Sequence, residues 1–339
     1  MEIHWEKSSG RNLTVPECGE KNQTNPQQSA DCDVSSIAMQ ATLLPPRNPG
    51  LCAPITANRE LGACLIANIP MRDLLAAELT RAGFQLVEPD EACPRTLRVP
   101  LDNWIELGAL LLLARNPNTA RLCDSEGHTL AWKGGANPDD CEDRIVTDAD
   151  CFPVVYPWDL LRMNEEVLAM MDETSLLGEV SPLATLNGCV RLANGSIILP
   201  GSVIDGPVLI GHDSQIGPNA YIRGATSIGP HCYVGNGAEV KNSIVYNNSY
   251  ISRHCYIGDS IIGAHVTLGA GTCTENHRHD GRQHVSMVHG RSVNTGRFKL
   301  GVILGDGVRT GVNTSLEAGV KIGVARTTKP GACVARDLL

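Results

Sequence analysis

Aromatic side chains are scarce in this sequence. They make up 4% of it, with three Phe among 339 residues. A large sandwich or barrel core usually uses more, whereas a core of stacked Ile, Val and Leu does not. Long hydrophobic runs are missing too. The longest, "LGALLLLA" at 107–114, falls well short of the ~20 residues that cross a bilayer, and suits a buried strand or helix. The opening residues, MEIHWEKSSGRN, lack the apolar stretch of a secretory signal. No basic block occurs and the net charge is −9. That argues against a nucleic-acid partner and leaves room for a local basic site that takes an acidic small molecule. The 13 cysteines contain no CxxC pair and no zinc-ligand spacing. The expectation is a reduced, cytoplasmic protein whose cysteines mostly fill core space.

What is present divides the chain in three. Residues 1–38 are polar and show no period, so a disordered tail is expected, with Met39 a second candidate start. Residues 39–180 read as a small α/β domain. "PMRDLLAAELTRAGF" places Met71, Leu74, Leu75, Leu79 and Ala82 on one helical face, between Pro70 and Gly83. "FQLVEP" and "TLRVPL" are strand candidates, and "GALLLL" suits strand or helix. "PWDLLRMNEEVLAMMDE" predicts a helix opening at Pro157 that closes the domain, with Leu161, Leu168 and Met171 near one face.

Residues 181–339 behave differently. Ile or Val recurs every sixth position at Ile210, Ile216, Ile222, Ile228, Val234 and Val240. The period continues through Val245, Ile251, Ile257, Ile262 and Leu268 with two steps of five, and resumes at Leu304, Thr310, Leu316 and Ile322. A helix repeats at 3.6 residues and a half-buried strand at two. A period of six marks a β-helix, in which each unit is a short strand plus a turn and three units close a triangular coil. Ser214, Ala220, Thr226, Cys232 and Ala238 also face inward on this reading, and Gly211, Gly217, Gly229 and Gly235 mark tight bends. "ENHRHDGRQHVSMVHGRSVNTGRFKL" breaks the period and must loop outward.

The stretches "YIRGA", "VGNGAEVKNSIV", "YIGDSIIG", "LGAGTCTENHRHDG" and "VNTGRFKLGVILGDGVRTGVNTSLEAGVKIG", in that order, carry a resemblance. Roughly residues 200–325 resemble the left-handed parallel β-helix acyltransferases, above all the bifunctional sugar-1-phosphate nucleotidyltransferase/acetyltransferase family. The resemblance implies homotrimers, acetyl-CoA as co-substrate bound between neighbouring coils, and an amino sugar phosphate as acceptor. It places Arg223 and Lys241 at the sugar-phosphate anchors, Asn276 at the acetyl-transfer site and Tyr256 at the substrate. Without it, Arg223 and Lys241 read as a solvated pair, Asn276 as a turn residue and Tyr256 as packing. The departure falls at the catalytic base, where the family's Pro-His-Leu-x-Tyr is "SRHCY" here. Arg253 takes the base position; an Arg cannot deprotonate an amine, and it is expected to bind the acceptor instead. His254 follows one residue later and is the candidate base. Thr267 stands where the family favours Asn. His277, His279, His284 and His289 crowd the loop, but the family carries a similar "RHDG" without a metal, and no metal is expected.

The first domain resembles the same family through "APITANRELGACLIANIPM" and "VYPWDLLRMNEEVL". Its phosphate loop aligns with "LLPPRNPGLCAPIT", where Pro45, Pro46 and Pro49 have no N–H to offer a phosphate. Leu61 falls at the family's Lys, and Asp102 reads as a strand-end turn residue rather than a metal ligand. The resulting expectation is a degenerate nucleotidyltransferase-like α/β domain joined to the β-helix. The function expected is acyl transfer from acetyl-CoA to a sugar phosphate or nucleotide sugar, without nucleic acid or membrane. Two alternatives stay open: a sugar-1-phosphate nucleotidyltransferase with an atypical loop, which would bring Mg, and a non-catalytic sugar-nucleotide binder or regulator.

Overall fold

The computed structural model describes residues 39–147 and 150–339; the expected N-terminal tail lies outside the described residues. The first domain is built on a six-stranded sheet. Gln40–Leu44 lies between Gln85–Leu86 and Leu97–Pro100, parallel to both. Thr129–Lys133, Ala120–Cys123 and Asp143–Val146 continue it, with the first two pairings antiparallel. Helix α1, Met71–Arg81, buries Met71, Leu74, Leu75 and Leu79 and gives way to Gly83 at φ +86. The ambiguous apolar run is helix α2, Leu107–Arg115. Its Leu and Ala favour helix, and it holds no β-branched residue that would favour strand. Helix α3, Pro157–Ala169, starts with Pro at its first position; Asp159 accepts the backbone N–H of Val155 (3.0 Å) and Tyr156 (2.8 Å). No described helix is long and apolar enough to cross a membrane.

After α3 the first coil strand is Ser175–Leu176, and the chain winds into a parallel β-helix of about nine turns. Its three faces are parallel sheets of eight, six and eight strands. We call them the first, second and third face in the order the chain visits them. Ile198 pairs with Ile216, and Ile216 with Val234, an 18-residue turn; Val234 then pairs with Ile251, a turn of 17. The Ile, Val and Leu of the sixfold frame have no exposure. Each buried apolar side chain of this size contributes about 1.5–3 kcal/mol. The loop at 275–299 leaves the coil and contains an antiparallel hairpin, Val285–Val288 with Arg291–Asn294. The frame closes behind it, since Ile262 pairs directly with Leu304.

The glycine expectation needs a correction. Gly211, Gly229 and Gly235 are not at positive φ. They are required by the next coil: a Cβ on Gly211 would lie 2.5 Å from Pro230 N, and one on Gly229 2.7 Å from Asn247 N. The left-handed residues fall two positions later, on Asp213, His231, Asn248 and His254 among others, types that tolerate this conformation better than most.

The two parts share a core. Leu209, Ile244, Tyr246, Ile261 and Ile303 point out of the first face and pack with Leu161, Trp158 and Leu65 of the first domain. Tyr246 is buried, and its hydroxyl accepts the N–H of Leu65 at 2.9 Å. Asn164 of α3 accepts from Ala67 N and Ser227 Oγ and donates to the Ala225 carbonyl. Arg59 pairs with Asp306 at 2.5 Å. All eleven described cysteines are free, six of them buried.

Candidate functional site

Outward-pointing residues of the third face stand in two registered columns. One runs Asp205, Arg223, Lys241, Gly258; the other runs Val203, Tyr221, Glu239, Tyr256, Cys273. Between them Ile204, Ile222, Val240 and Ile257 turn inward, as a period of two requires. The pairing Arg223↔Lys241 sets the two cations on adjacent strands, about 4.8 Å apart at the backbone.

Each cation already has a carboxylate. Arg223 donates through Nη2 and Nε to Glu239 Oε1 at 2.7 and 2.9 Å, which raises the Arg223 pKa further. Lys241 Nζ lies 2.9 Å from Asp259 Oδ2. Asp259 is the hub. It is buried, and it also accepts Asn276 Nδ2 at 2.6 Å and Asn242 Nδ2 at 2.9 Å. The same Asn276 amide donates to the Tyr256 hydroxyl at 3.1 Å. Burial first, then the charges of Glu239 and Asp259, raise the Tyr256 pKa. The phenol therefore keeps its proton and can donate to a ligand. Further along, Tyr221 donates to Asp205 at 2.6 Å, and that bond is the main cause of a lowered Asp205 pKa.

The structure thus brings Arg223, Lys241, Tyr256 and Asn276 together on one face. Asp259 was missed from sequence. The available signal was an Asp directly after "YIG", where the left-handed corner stands (φ 51). Arg253 and His254 lie apart, at the corner that leads from the second to the third face, and both are exposed. His254 is at φ 55, so a one-residue displacement puts it on the turn itself. Its ring lies over Gly237, where a Cβ would come within 2.8 Å of Nδ1. Gly237 stands two residues before Glu239, so the imidazole sits at the rim of the charged face.

The loop histidines do not converge. His284 is buried, its Nε2 lies 3.3 Å from the Asn276 carbonyl, and burial lowers its pKa. It contacts the backbone of Asn276. His279 is exposed and 3.4 Å from Glu275. Arg297, at the loop's far end, pairs with Glu165 of α3 at 2.5 Å, and Asn242 donates to the same Glu165 oxygen at 2.7 Å. The network therefore reaches the first domain.

In that domain the loop after the first strand turns its groups inward. Arg47 N donates to Asp102 Oδ2 at 2.9 Å, and the Arg47 side chain pairs with the same oxygen at 3.2 Å. Asp102 is buried, and Leu61 has no exposure and is part of the core. Neither is available to a nucleotide as placed.

Fold and face together define a hexapeptide-repeat β-helix with a cation-bearing, registered surface. Residues 204–322 match the family described as the GMPPB C-terminal domain. Over 183 residues the chain is 37% identical to the Bifunctional protein GlmU of Methanococcus maripaludis strain S2, covering 54% of this chain and 44% of that protein. Over 182 residues it is 38% identical to the Bifunctional sugar-1-phosphate nucleotidylyltransferase/acetyltransferase of Sulfurisphaera tokodaii, covering 54% and 45%. The chain spans less than half the length of these curated relatives. A solved UDP-N-acetylglucosamine acyltransferase from Francisella novicida is 18% identical over 48% of this chain and 63% of its own, with a TM-score of 0.21, and adds nothing to the case. The resemblance to the bifunctional nucleotidyltransferase/acetyltransferases holds for the coil.

Proposed function

We propose that the chain transfers an acyl group from acetyl-CoA to an amino sugar carried as a sugar phosphate or nucleotide sugar. The observation that carries this reading is the Lys241–Asp259–Asn276–Tyr256 network, with Arg223 in register beside it. Five residues from three successive coils and the loop stem meet on one face, and that convergence supports the reading. A solvated face has no need of a buried carboxylate hub.

In this reading Arg223 is the exchangeable anchor. Its pair with Glu239 is partly exposed, with side chains 35% and 30% accessible, and such pairs are worth about 0–1 kcal/mol. A phosphate can displace Glu239 and take two guanidinium hydrogen bonds. Lys241 keeps Asp259 and contributes charge. Tyr256 and Asn276 orient the acceptor. The sugar amine attacks the thioester carbonyl, forming the C–N bond; the C–S bond breaks and CoA leaves as thiolate. His254, at the rim, takes the amine proton. The active form is a cytoplasmic homotrimer with acetyl-CoA between coils of neighbouring copies. Nucleotidyl transfer, and with it any need for Mg, is lost, because the Pro-rich loop spends its Arg47 N–H on Asp102.

The test is CoA release from acetyl-CoA with glucosamine-1-phosphate. His254→Asn keeps a residue that accepts the left-handed corner and removes the base. It should lower turnover by about 10²–10⁴-fold. Unchanged turnover would reject His254 as base. A second reading, a non-catalytic binder, is favoured by one observation: Arg253 holds the family's base position. Saturable binding of the sugar phosphate with no CoA released would establish it.

A further inference from the structure

We propose that His212, Asp213 and His231 form a binding site for a borderline divalent transition-metal ion, zinc being the type. The site lies on the corner between the first and second faces, away from the charged third face. Asp213 (φ 54) and His231 (φ 55) occupy the same left-handed corner in successive coils. The corners are tied together, since His231 N donates to the His212 carbonyl at 2.9 Å. The three side chains are therefore delivered by two stacked turns with little backbone freedom.

The donors already converge on one oxygen. His212 Nδ1 is 2.8 Å and His231 Nδ1 is 3.8 Å from Asp213 Oδ2, and the two rings meet edge to face at 4.7 Å. One ligand atom from each residue lies within 4.8 Å of the others. Zinc with bonds of about 2.0–2.2 Å needs ligand atoms roughly 3.3–3.5 Å apart in a tetrahedron. Rotations of exposed side chains by about an ångström reach that arrangement. Two imidazoles and a carboxylate are a zinc-type set, with the remaining position left to water.

One detail favours an ion over a solvated cluster, and a second fixes where the carboxylate sits. Asp213 pairs with no Lys or Arg among the described residues; its ionic contacts are the two imidazoles. Gly195, one coil earlier, leaves the space the carboxylate occupies, for a Cβ there would stand 2.1 Å from Asp213 Oδ1. The ion would clip two coils together at their corner. His265 lies at the same corner two coils beyond His231 and has no part in the cluster.

Zinc binding to the full chain, with any affinity tag removed, is measured by isothermal titration calorimetry. Cobalt substitution, read by visible absorption, reports the ligand geometry. One ion per chain is expected, with a cobalt spectrum of a four- or five-coordinate site. His212→Ala, Asp213→Asn and His231→Asn should each weaken zinc binding at least about tenfold; the two Asn replacements keep a residue that accepts the left-handed corner. His265→Asn and the pair His277→Ala with His279→Ala should leave affinity unchanged. No zinc binding by the wild type overturns the proposal. So does binding that survives His212→Ala combined with His231→Asn in protein whose unliganded melting temperature is unchanged.

Discussion

The first and third faces of the coil are cut from the same six-residue unit, and their inward sides are interchangeable: Ile228 and Val245 on one, Ile222 and Val240 on the other, all without exposure. Their outward sides differ in kind. The first face presents Leu209, Ile244, Ile261 and Ile303, and the first domain covers them. The third face presents Tyr221, Arg223, Glu239, Lys241 and Tyr256, and nothing described covers most of it. The frame decides only that a coil forms. The alternate position of each strand decides whether a face is an internal seam or a working surface. One coil can therefore dock a domain and hold a ligand without either use disturbing the other's hydrogen-bond ladder.

The strongest way to break this contrast is to truncate an outward aromatic on each face. Tyr246→Ala removes a wholly buried ring from the seam and leaves the Leu65 N–H without its acceptor. A loss of about 3–5 kcal/mol is expected, as for other large aromatic truncations. Tyr221→Ala, on the third face where the ring is 36% exposed, should cost under about 1 kcal/mol. Urea denaturation monitored by tryptophan fluorescence measures both. Equal losses would mean that the third face is as structural as the first.

A second test uses acid, because the two regions shift carboxylates in opposite directions. Asp159, at the start of α3, is pushed up to about 6, chiefly by burial. Asp205, on the third face, is lowered by the Tyr221 hydroxyl. For Asp159 the folded protein holds the proton more tightly than the unfolded chain. The stabilisation is full below the unfolded value near 4 and is lost as pH rises through about 6. Two pH units correspond to about 3 kcal/mol. Asp159→Asn keeps an acceptor for Val155 N and Tyr156 N and cannot ionise. Its stability relative to wild type should therefore climb between pH 4 and pH 6 and level off above. A flat difference across that range would show that the carboxyl is solvated.

The inward frame was legible from Ile210 onward, because stacking one side chain every six residues leaves a period that neither a helix nor a simple strand produces; the first coils, with Leu192, Ile198 and Ile204, were not read. The seam was not read, though its signal is present. "VLI", "SIV", "SII" and "VIL" place a second apolar residue just before the frame position in four of the first-face units, Leu209, Ile244, Ile261 and Ile303, while Arg191, Ser227 and Lys321 take that position in others. These residues recur on one face of the coil, and they mark where it is covered. Of the candidate site, Arg223, Lys241, Tyr256 and Asn276 were readable by resemblance. Asp259 was hidden because its role depends on neighbours 17 and 18 residues away in sequence that the coil stacks against it. Cluster reading of the histidines pointed to "HRHD", where the chain is close in sequence but the rings diverge. His212 and His231 are 19 positions apart and meet only because one coil lies on the next.

The smallest expected change in stability is also the one that best separates a working surface from a seam. Arg223→Gln removes a guanidinium whose carboxylate partner is itself partly exposed, so stability should move by less than about 1 kcal/mol. A hydrogen bond to a charged group is worth about 1.5–3 kcal/mol when a ligand makes it. Binding of glucosamine-1-phosphate, followed by calorimetry, should therefore weaken by about 10- to 100-fold. Glu239→Gln supplies the complementary measurement. It leaves Arg223 in place and removes the charge that competes with phosphate, so binding should tighten. If Arg223→Gln instead destabilises the fold as much as Tyr246→Ala, the pair is structural and the third face offers no anchor. If neither variant alters phosphate binding, the acceptor lies elsewhere, and Lys241 with Asp259 is only a buried ion pair that fixes the loop stem to the coil.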